Sequence, residues 1–536
     1  APSISVRSLR PDPLKEYELR LSARRQELAI ANGREEVAGN GRVGAFLLAC
    51  VAAYLVWGGS GWSPVWFWGA LAALVVAVVI HRRVVREVKR TTRAVNYYTR
   101  GLARLEDKWQ GVGATGEDLR PFGHAYAGDL DLFGRGSLYQ LLGAPQTRMG
   151  EQTLSAWLLG PADAAMIRAR QAAVAELRDE LDLREALAAL DSDVRDKVSP
   201  DELKNWATAA PKFTDTWRPL VALPLGIAAT IALLAFFFGL VNIVPFLVLL
   251  ALEGALLYTL RDGLKQLAEE VDRITDELEV LTSVLRLVED RKFQCAKLKD
   301  LEAELHGGGI APSHQIRRLQ GLVFNFESAL RNQFMMPLAF VTLYVVHLAY
   351  AIERWRTKLS EDVGRWLHAV GEFEALLVLA AYHFERPDYV FPEIVEGETL
   401  VEFERLGHPL LAAAKCVRNN VALAPPLRLL LLSGSNMSVK STLLRAVGVN
   451  VVLALAGSVV RAEKARVSVL SIGSSMRISD SLQEGASHFF AEIKRLREIV
   501  DLTSGPRPVL FLLDEVLHGT NSHDRRLGAE GVIKTL

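Results

Sequence analysis

Two long stretches of this chain cannot sit in an ordinary water-facing fold, because neither contains a charged side chain. Val43 to Ile80 has only Cys50 and Tyr54 as ionisable groups, and Pro219 to Leu252 has none. A short uncharged turn splits each, at Gly58-Gly59-Ser60-Gly61 in the first and at Gly239 through Pro245 in the second. The arms of the first run are roughly 15–17 residues long, slightly short of what crosses a hydrocarbon layer as a helix. Trp57, Trp62, Trp66 and Trp68 gather around the first turn like an interfacial aromatic belt, and His81-Arg82-Arg83, Arg86, Lys89 and Arg90 follow the second arm. Lys212 and Arg218 precede the second run, and Arg261 and Lys265 follow it. The pattern predicts four transmembrane helices in two hairpins, with the basic flanks on the cytoplasmic side of the cell (inner) membrane. A buried soluble hairpin is the alternative reading. Glu253 lies about two helical turns inside Arg261; an acid there is either a functional membrane site or a carboxylate paired near the interface.

The remainder is soluble in character. Lys+Arg and Asp+Glu are both 62 in 536 residues, so the molecule has no general attraction for nucleic acid, and DNA contact would need a local basic patch. Cys50, Cys295 and Cys416 are far apart and form no metal-ligand spacing. The expected organisation is an N-terminal cytoplasmic segment (1–42) that ends in a Gly-rich stretch at Gly33, Gly39 and Gly41 and shows no signal peptide. Hairpin 1 (43–80), a helical segment (81–200), hairpin 2 (201–262), further helices (263–394) and an α/β domain (395–536) follow. Leu264, Leu267, Val271, Ile274, Leu278, Leu281, Leu285 and Val288 form a heptad seam, which suits a dimer coiled coil or one long helix packed on its neighbours. Phe334 to Ala351 is apolar, but His347 and the following Glu353-Arg354-Trp355-Arg356 favour a buried core helix over a fifth membrane span.

Chemistry concentrates near the C-terminus. From Leu429 an apolar run reads as a strand, Ser433 to Val439 as a polar loop, and Lys440-Ser441-Thr442 opens a helical pattern with Leu443, Leu444 and Val447. Strand, loop and helix in that order direct backbone N–H groups and a helix N-terminus at a polyphosphate, with Lys440 on the β- and γ-phosphates and the Ser441 hydroxyl on Mg²⁺. Val439 stands where the second glycine of such a loop belongs. Downstream, Val509 to Leu513 is an apolar strand that delivers Asp514 to a metal shell and Glu515 to an attacking water.

These residues resemble the MutS family of ATPases. Gly434-Ser435-Asn436-Met437-Ser438-Val439-Lys440-Ser441-Thr442 is similar to that family's GPNMxGKST loop, and Leu512 to Asp524 to its Walker B and D-loop. Ser479 to Glu492 resembles its signature segment. The run from Gly136 to Leu142, with Thr147, Gly150, Trp157 and Arg170, resembles the start of the family's core domain. Leu406-Gly407-His408-Pro409-Leu410 looks like the entry to the ATPase sheet, with His408 structural or nucleotide-flanking.

The resemblance implies a multi-domain α plus α/β protein: two transmembrane hairpins, a helical core and lever region, and a C-terminal P-loop (ABC-like) ATPase domain. It implies ATP and Mg²⁺ as cofactors and a homodimer, in which Ser487 and Asn521 serve the partner's site and ATP switches a clamp or lever. DNA is one candidate ligand, although the family's mismatch-reading domain has no counterpart before Phe122. The family continues into a further strand beyond the helix that ends at Leu536, so a truncated sequence is expected. Val439 leaves a second expectation: a catalytically impaired membrane scaffold, with a cost to nucleotide binding on the order of 1–3 kcal/mol.

Overall fold

The computed structural model describes residues 12–59, 61–190, 200–306, 311–433, 437–476, 488–517 and 522–535. Cα packing divides the chain into two compact units. One comprises Ala1–Ala144, Ser155–Asp191 and Leu376–Leu536, the other Pro145–Leu154 and Ser192–Ala375.

The first unit opens with α1 (Pro13–Trp57) and α2 (Val65–Leu105), which run antiparallel. Asp12 caps α1 by accepting from Leu14 N, with Pro13 in the first turn, where its missing N–H costs nothing. Helix α1 continues without interruption through Gly33, Gly39 and Gly41, the Gly-rich stretch at which the N-terminal segment is expected to end. Each glycine costs a helix about 1 kcal/mol, and pairing with α2 along the hairpin offsets it. The hairpin's root is a buried cluster of Tyr17, Leu21, Tyr98, Leu181 and Phe384. Its tip is the reverse: Phe46, Leu47, Val51, Tyr54, Trp57, Trp62, Trp66, Trp68, Val75 and Val76 are all exposed.

Short helices follow: α3 (Leu138–Leu142), the end of α4 (Arg148–Leu159), whose residues up to Leu154 belong to the second unit, α5 (Ala164–Leu177) and α6 (Leu181–Ala188). The α/β part has strands β1 (Glu393–Val395), β2 (Val401–Leu406), β3 (Asn419–Leu423) and β4 (Lys464–Ser468) in the order β1-β4-β2-β3. Only the β1–β4 pair of that sheet is parallel. A second sheet pairs β5 (Ser471–Ser475) in parallel with β6 (Val509–Leu513). Strand β6 is the expected Walker B strand.

The second unit is helical: α7 (Pro200–Thr208), α8 (Trp217–Phe237), α9 (Val244–Glu289), α10 (Ala296–His306), α11 (Pro312–Arg331), α12 (Met335–Val341) and most of α13 (Tyr344–Glu385). All eight seam residues from Leu264 to Val288 are buried, and α9 packs against α11, whose Ile316, Leu319, Val323 and Phe326 are buried in turn. At roughly 1.5–3 kcal/mol per buried aliphatic side chain, this contact consumes the seam within one chain, as a packed lever helix does. A buried ion cluster braces the same helix, with Arg356 Nη2 2.6 Å from Glu353 Oε2 and Glu270 bonded to Lys212.

The expected core helix over Phe334–Ala351 is corrected. Its first half, α12, meets α13 at an 84° bend, and Phe334, Met336, Leu338 and Phe340 are exposed, with Phe334 at 91%. Ala339 and Leu343 are buried, and from Val345 onward most apolar residues point inward. Leu343 at the bend has φ +52°, a left-handed backbone that interrupts the helix. Among the described residues, four helical spans are long and apolar enough to cross a membrane: Pro13–Trp57, Val65–Leu105, Trp217–Phe237 and Val244–Ile274.

Candidate nucleotide-binding site

The site is assembled at the N-terminus of α14 (Met437–Ala456) and the C-terminal end of β6. Helix α14 is buried from Ala446 to Ala456. It approaches the sheet closely at Gly448, where an added Cβ would lie 2.5 Å from Leu130 Cδ2 and 2.7 Å from Leu512 Cδ1, so a larger residue requires those side chains to move. Asn450 fixes the far end: its Nδ2 donates to the carbonyls of Gly407 (2.9 Å) and Ala446 (2.7 Å), and its Oδ1 accepts from Arg461 N (2.8 Å). Arg461 Nη1 in turn donates to the carbonyls of His408 and Leu411, at 2.8 and 2.6 Å. Burial, with Arg445 and Arg461 nearby, pushes the His408 imidazole down to about 4. His408 is therefore a neutral structural residue, its Nδ1 accepting from Leu410 N.

The two motifs read from the sequence meet here. Ser441 Oγ donates a hydrogen bond to Asp514 Oδ2 across 73 positions of sequence. Lys440, Ser441 and Thr442 are all half-buried at the start of α14. Asp514 N donates to Ser475 O at 3.0 Å, extending the β5–β6 pairing to the last residue before the turn. Beyond it the chain turns sharply, with φ +48° at Glu515 and +55° at Leu517. Left-handed backbone costs a non-glycine residue about 1–2 kcal/mol, and Glu492 bonds to Leu517 N and holds that turn. The Glu515 residue is exposed.

Two expectations are corrected or fall outside view. The run from Leu429 to Leu432 forms no strand, and Leu431 is 80% exposed. A strand needs a neighbour to accept its hydrogen bonds, and none among the described residues pairs with it. Gly434, Ser435, Asn436, Ser487 and Asn521 lie outside the described residues, as do the side chains of Met437, Ser438 and Val439. The backbone of Val439 is helical, in the first turn of α14.

Sequence reasoning missed Asp129, which is buried and accepts from Ser474 Oγ (2.8 Å) and Met476 N (3.1 Å). It also missed Arg495, which donates to the carbonyls of Ser474 (3.0 Å) and His124 (2.6 Å). Together they clamp the segment before α3 to the end of β5. Neither carries a motif; only an acid inside the apolar run from Ala127 to Phe133 hinted at the first.

The donor set suits Mg²⁺, since a hydroxyl and a carboxylate are brought together and both are hard oxygen ligands. Ser441 and Asp514 would hold the ion, Lys440 the phosphates, and Glu515 would orient water.

The sequence profile described as MutS domain V matches residues 430–536. The DNA mismatch repair protein MutS 1 of Halobacterium salinarum is 34% identical over 171 residues, covering 32% of this chain and 19% of that protein. The DNA mismatch repair protein MutS of Sorangium cellulosum is 35% identical over 180 residues, with 32% and 19% covered. Endonuclease MutS2 of Thermus thermophilus is 35% identical over 236 residues, covering 41% of this chain and 30% of that protein. The chain thus spans about a fifth to a third of the length of these relatives. Residues 430–536 thus match MutS domain V, and over this C-terminal region the chain is similar to MutS and MutS2 proteins.

Proposed function

We propose that this chain is a membrane-anchored, MutS-like ATPase that works as a homodimer on the cytoplasmic face, where ATP binding or hydrolysis moves the α9–α11 lever. The observation that carries the reading is the Ser441–Asp514 hydrogen bond, which joins the phosphate-loop helix to the acidic strand end. Lys440 binds and orients the phosphates, and Glu515 accepts a proton from the attacking water as it is positioned. Bound Mg²⁺ supplies neutralisation of charge on the transferred phosphoryl group.

Anchoring is supported by four apolar spans and by the exposed aromatic tip of the α1–α2 hairpin. The apolar face of α12 adjoins α8 and is covered by the same lipid in this reading. DNA, which the names of two relatives carry, is the first ligand to test against the levers. The deciding experiment is ATP turnover by the full-length protein in detergent or vesicles, with and without duplex DNA. Turnover that Lys440→Ala abolishes is expected. Absence of both turnover and nucleotide binding in the native chain would overturn the reading in favour of the Val439-impaired scaffold.

A further inference from the structure

Glu253 lies on the lever seam. The buried positions Leu260, Leu264 and Leu267 repeat at spacings of four and three, and seven residues before Leu260 is Glu253. The position is one where the pattern calls for an aliphatic side chain. The glutamate there has no exposed surface, and neither carboxyl oxygen has a hydrogen-bond partner among the described residues.

Glu253 is enclosed, and the facing helix α8 is apolar. Helices α8 and α9 form a hairpin, and counting outward from its turn sets Glu253 level with Ala228 and Ala229, about one helical turn from Gly226. Ala222, Gly226 and Ala229 are the buried residues of α8. Gly226 lets the bend between α12 and α13 come close: a Cβ there would lie 2.6 Å from Thr342 O and 2.8 Å from Thr342 C. After Arg218, α8 carries no titratable side chain, and α12 carries none. Among the titratable side chains of the other elements of this bundle, α9 carries Tyr258 and Arg261, α13 begins with Tyr344 and His347, and α11 carries Glu327 and Arg331 near its end. An unpaired carboxylate in such a place is far costlier than the neutral acid.

We propose that Glu253 is a proton-binding site in the membrane part of the lever helix, closed by the packing of the α12–α13 bend on Gly226 and opened to water when that contact separates. The step is a single O–H dissociation, with the proton passing to water and the carboxylate left hydrated. Its mechanical consequence follows from α9, one unbroken helix from Glu253 to Glu289, about 54 Å long at 1.5 Å per residue. At its far end Glu289 accepts from Ser313 N (2.9 Å) and Oγ (2.5 Å) at the start of α11. The protonation state of Glu253 is thus in series with the lever.

The inference rests on the membrane reading above, and two readouts separate the failure of one from that of the other. The full chain is reconstituted in phosphatidylcholine vesicles. Quenching of tryptophan fluorescence by brominated acyl chains reports insertion, and infrared difference spectra between native and Glu253→Gln protein report a protonated carboxyl. We expect quenching in both proteins and a protonated-carboxyl band that Glu253→Gln removes. Its amplitude should fall at least about twofold between about pH 6 and about pH 9. Gly226→Val, which wedges α8 from Thr342, should lower the band at about pH 7 by a similar factor. Quenching without the band, or a band indifferent to both pH and Gly226→Val, overturns the proton site while sparing the anchor. No quenching overturns both.

Discussion

Arg104, near the end of α2, grips Glu385, the last residue of α13, through two parallel hydrogen bonds: Nε to Oε2 at 2.7 Å and Nη2 to Oε1 at 2.5 Å. Tyr17 of α1 donates to the same carboxylate at 3.3 Å and stacks on Phe384, with ring centroids 5.6 Å apart. The root of the α1–α2 hairpin is therefore tied to the residue from which the chain enters the α/β domain. Removing one partner strands a buried charge, so Glu385→Ala should cost about 3–5 kcal/mol. The midpoint of urea unfolding of the detergent-solubilised protein measures it. A double change to leucine at both positions should recover much of the loss, and a double variant no more stable than Glu385→Ala would contradict the pairing.

His408 sets an acid limit on stability. Its folded value of about 4 lies below the ordinary histidine value near 6.5, so the unfolded chain binds the proton more readily. Stability from this group is complete above about pH 6.5 and is lost as pH falls toward about 4, by about 3 kcal/mol in total. Glu374 acts in the opposite sense: burial pushes it up to about 7, so its contribution is lost as pH rises from about 4.5 through about 7. His408→Asn, which keeps an acceptor for Leu410 N, should flatten the acid limb of a stability-against-pH curve. An unchanged limb would show that other groups control it.

Val439 should weaken nucleotide binding through bulk rather than through backbone conformation. Its helical backbone is open to any residue, which removes the conformational part of the expected cost and leaves the steric part. Val439→Ala should then recover most of the gain of Val439→Gly, each tightening ATP binding about 2- to 10-fold, or about 0.4–1.4 kcal/mol. Calorimetry on the three proteins decides it, and a gain confined to glycine would restore the conformational explanation.

The proposed homodimer predicts complementation. Lys440→Ala and Ser487→Ala chains, each inactive alone, should restore about one working site per mixed dimer, because the signature segment serves the opposite subunit in this reading. Turnover by co-purified mixed dimers is the measurement, and persistent inactivity would remove the composite site.

Topology predicts which cysteines an impermeant reagent reaches in intact cells. Ser60→Cys and Asn242→Cys, at the two hairpin turns, should be labelled, and Ser435→Cys should not. The opposite pattern would invert the orientation, and release of the chain by alkaline carbonate would remove the anchor.

Much of this protein is local and was legible in its sequence. Charge-free arms flanked by arginine and lysine, a heptad seam, and an apolar strand ending in Asp514-Glu515 each follow from patterns over a few turns or one strand. Their physics is satisfied within the segment itself or by any apolar partner. Tertiary structure decided the rest. The seam's partner proved to be α11 of the same chain, since periodicity specifies a face and leaves open what covers it. Helix α1 passed its glycines because α2 lies alongside, and Phe334 to Ala351 broke because α12 and α13 have different surroundings on either side of Leu343. Leu429 to Leu432 formed no strand, since a strand depends on a neighbour that composition cannot supply. Ser441 and Asp514 come together through the packing of α14 on Leu130 and Leu512, while Asp129 is pinned to β5, and Arg495 to His124, by contacts hundreds of residues apart in sequence. Such contacts arise only when the whole chain is packed.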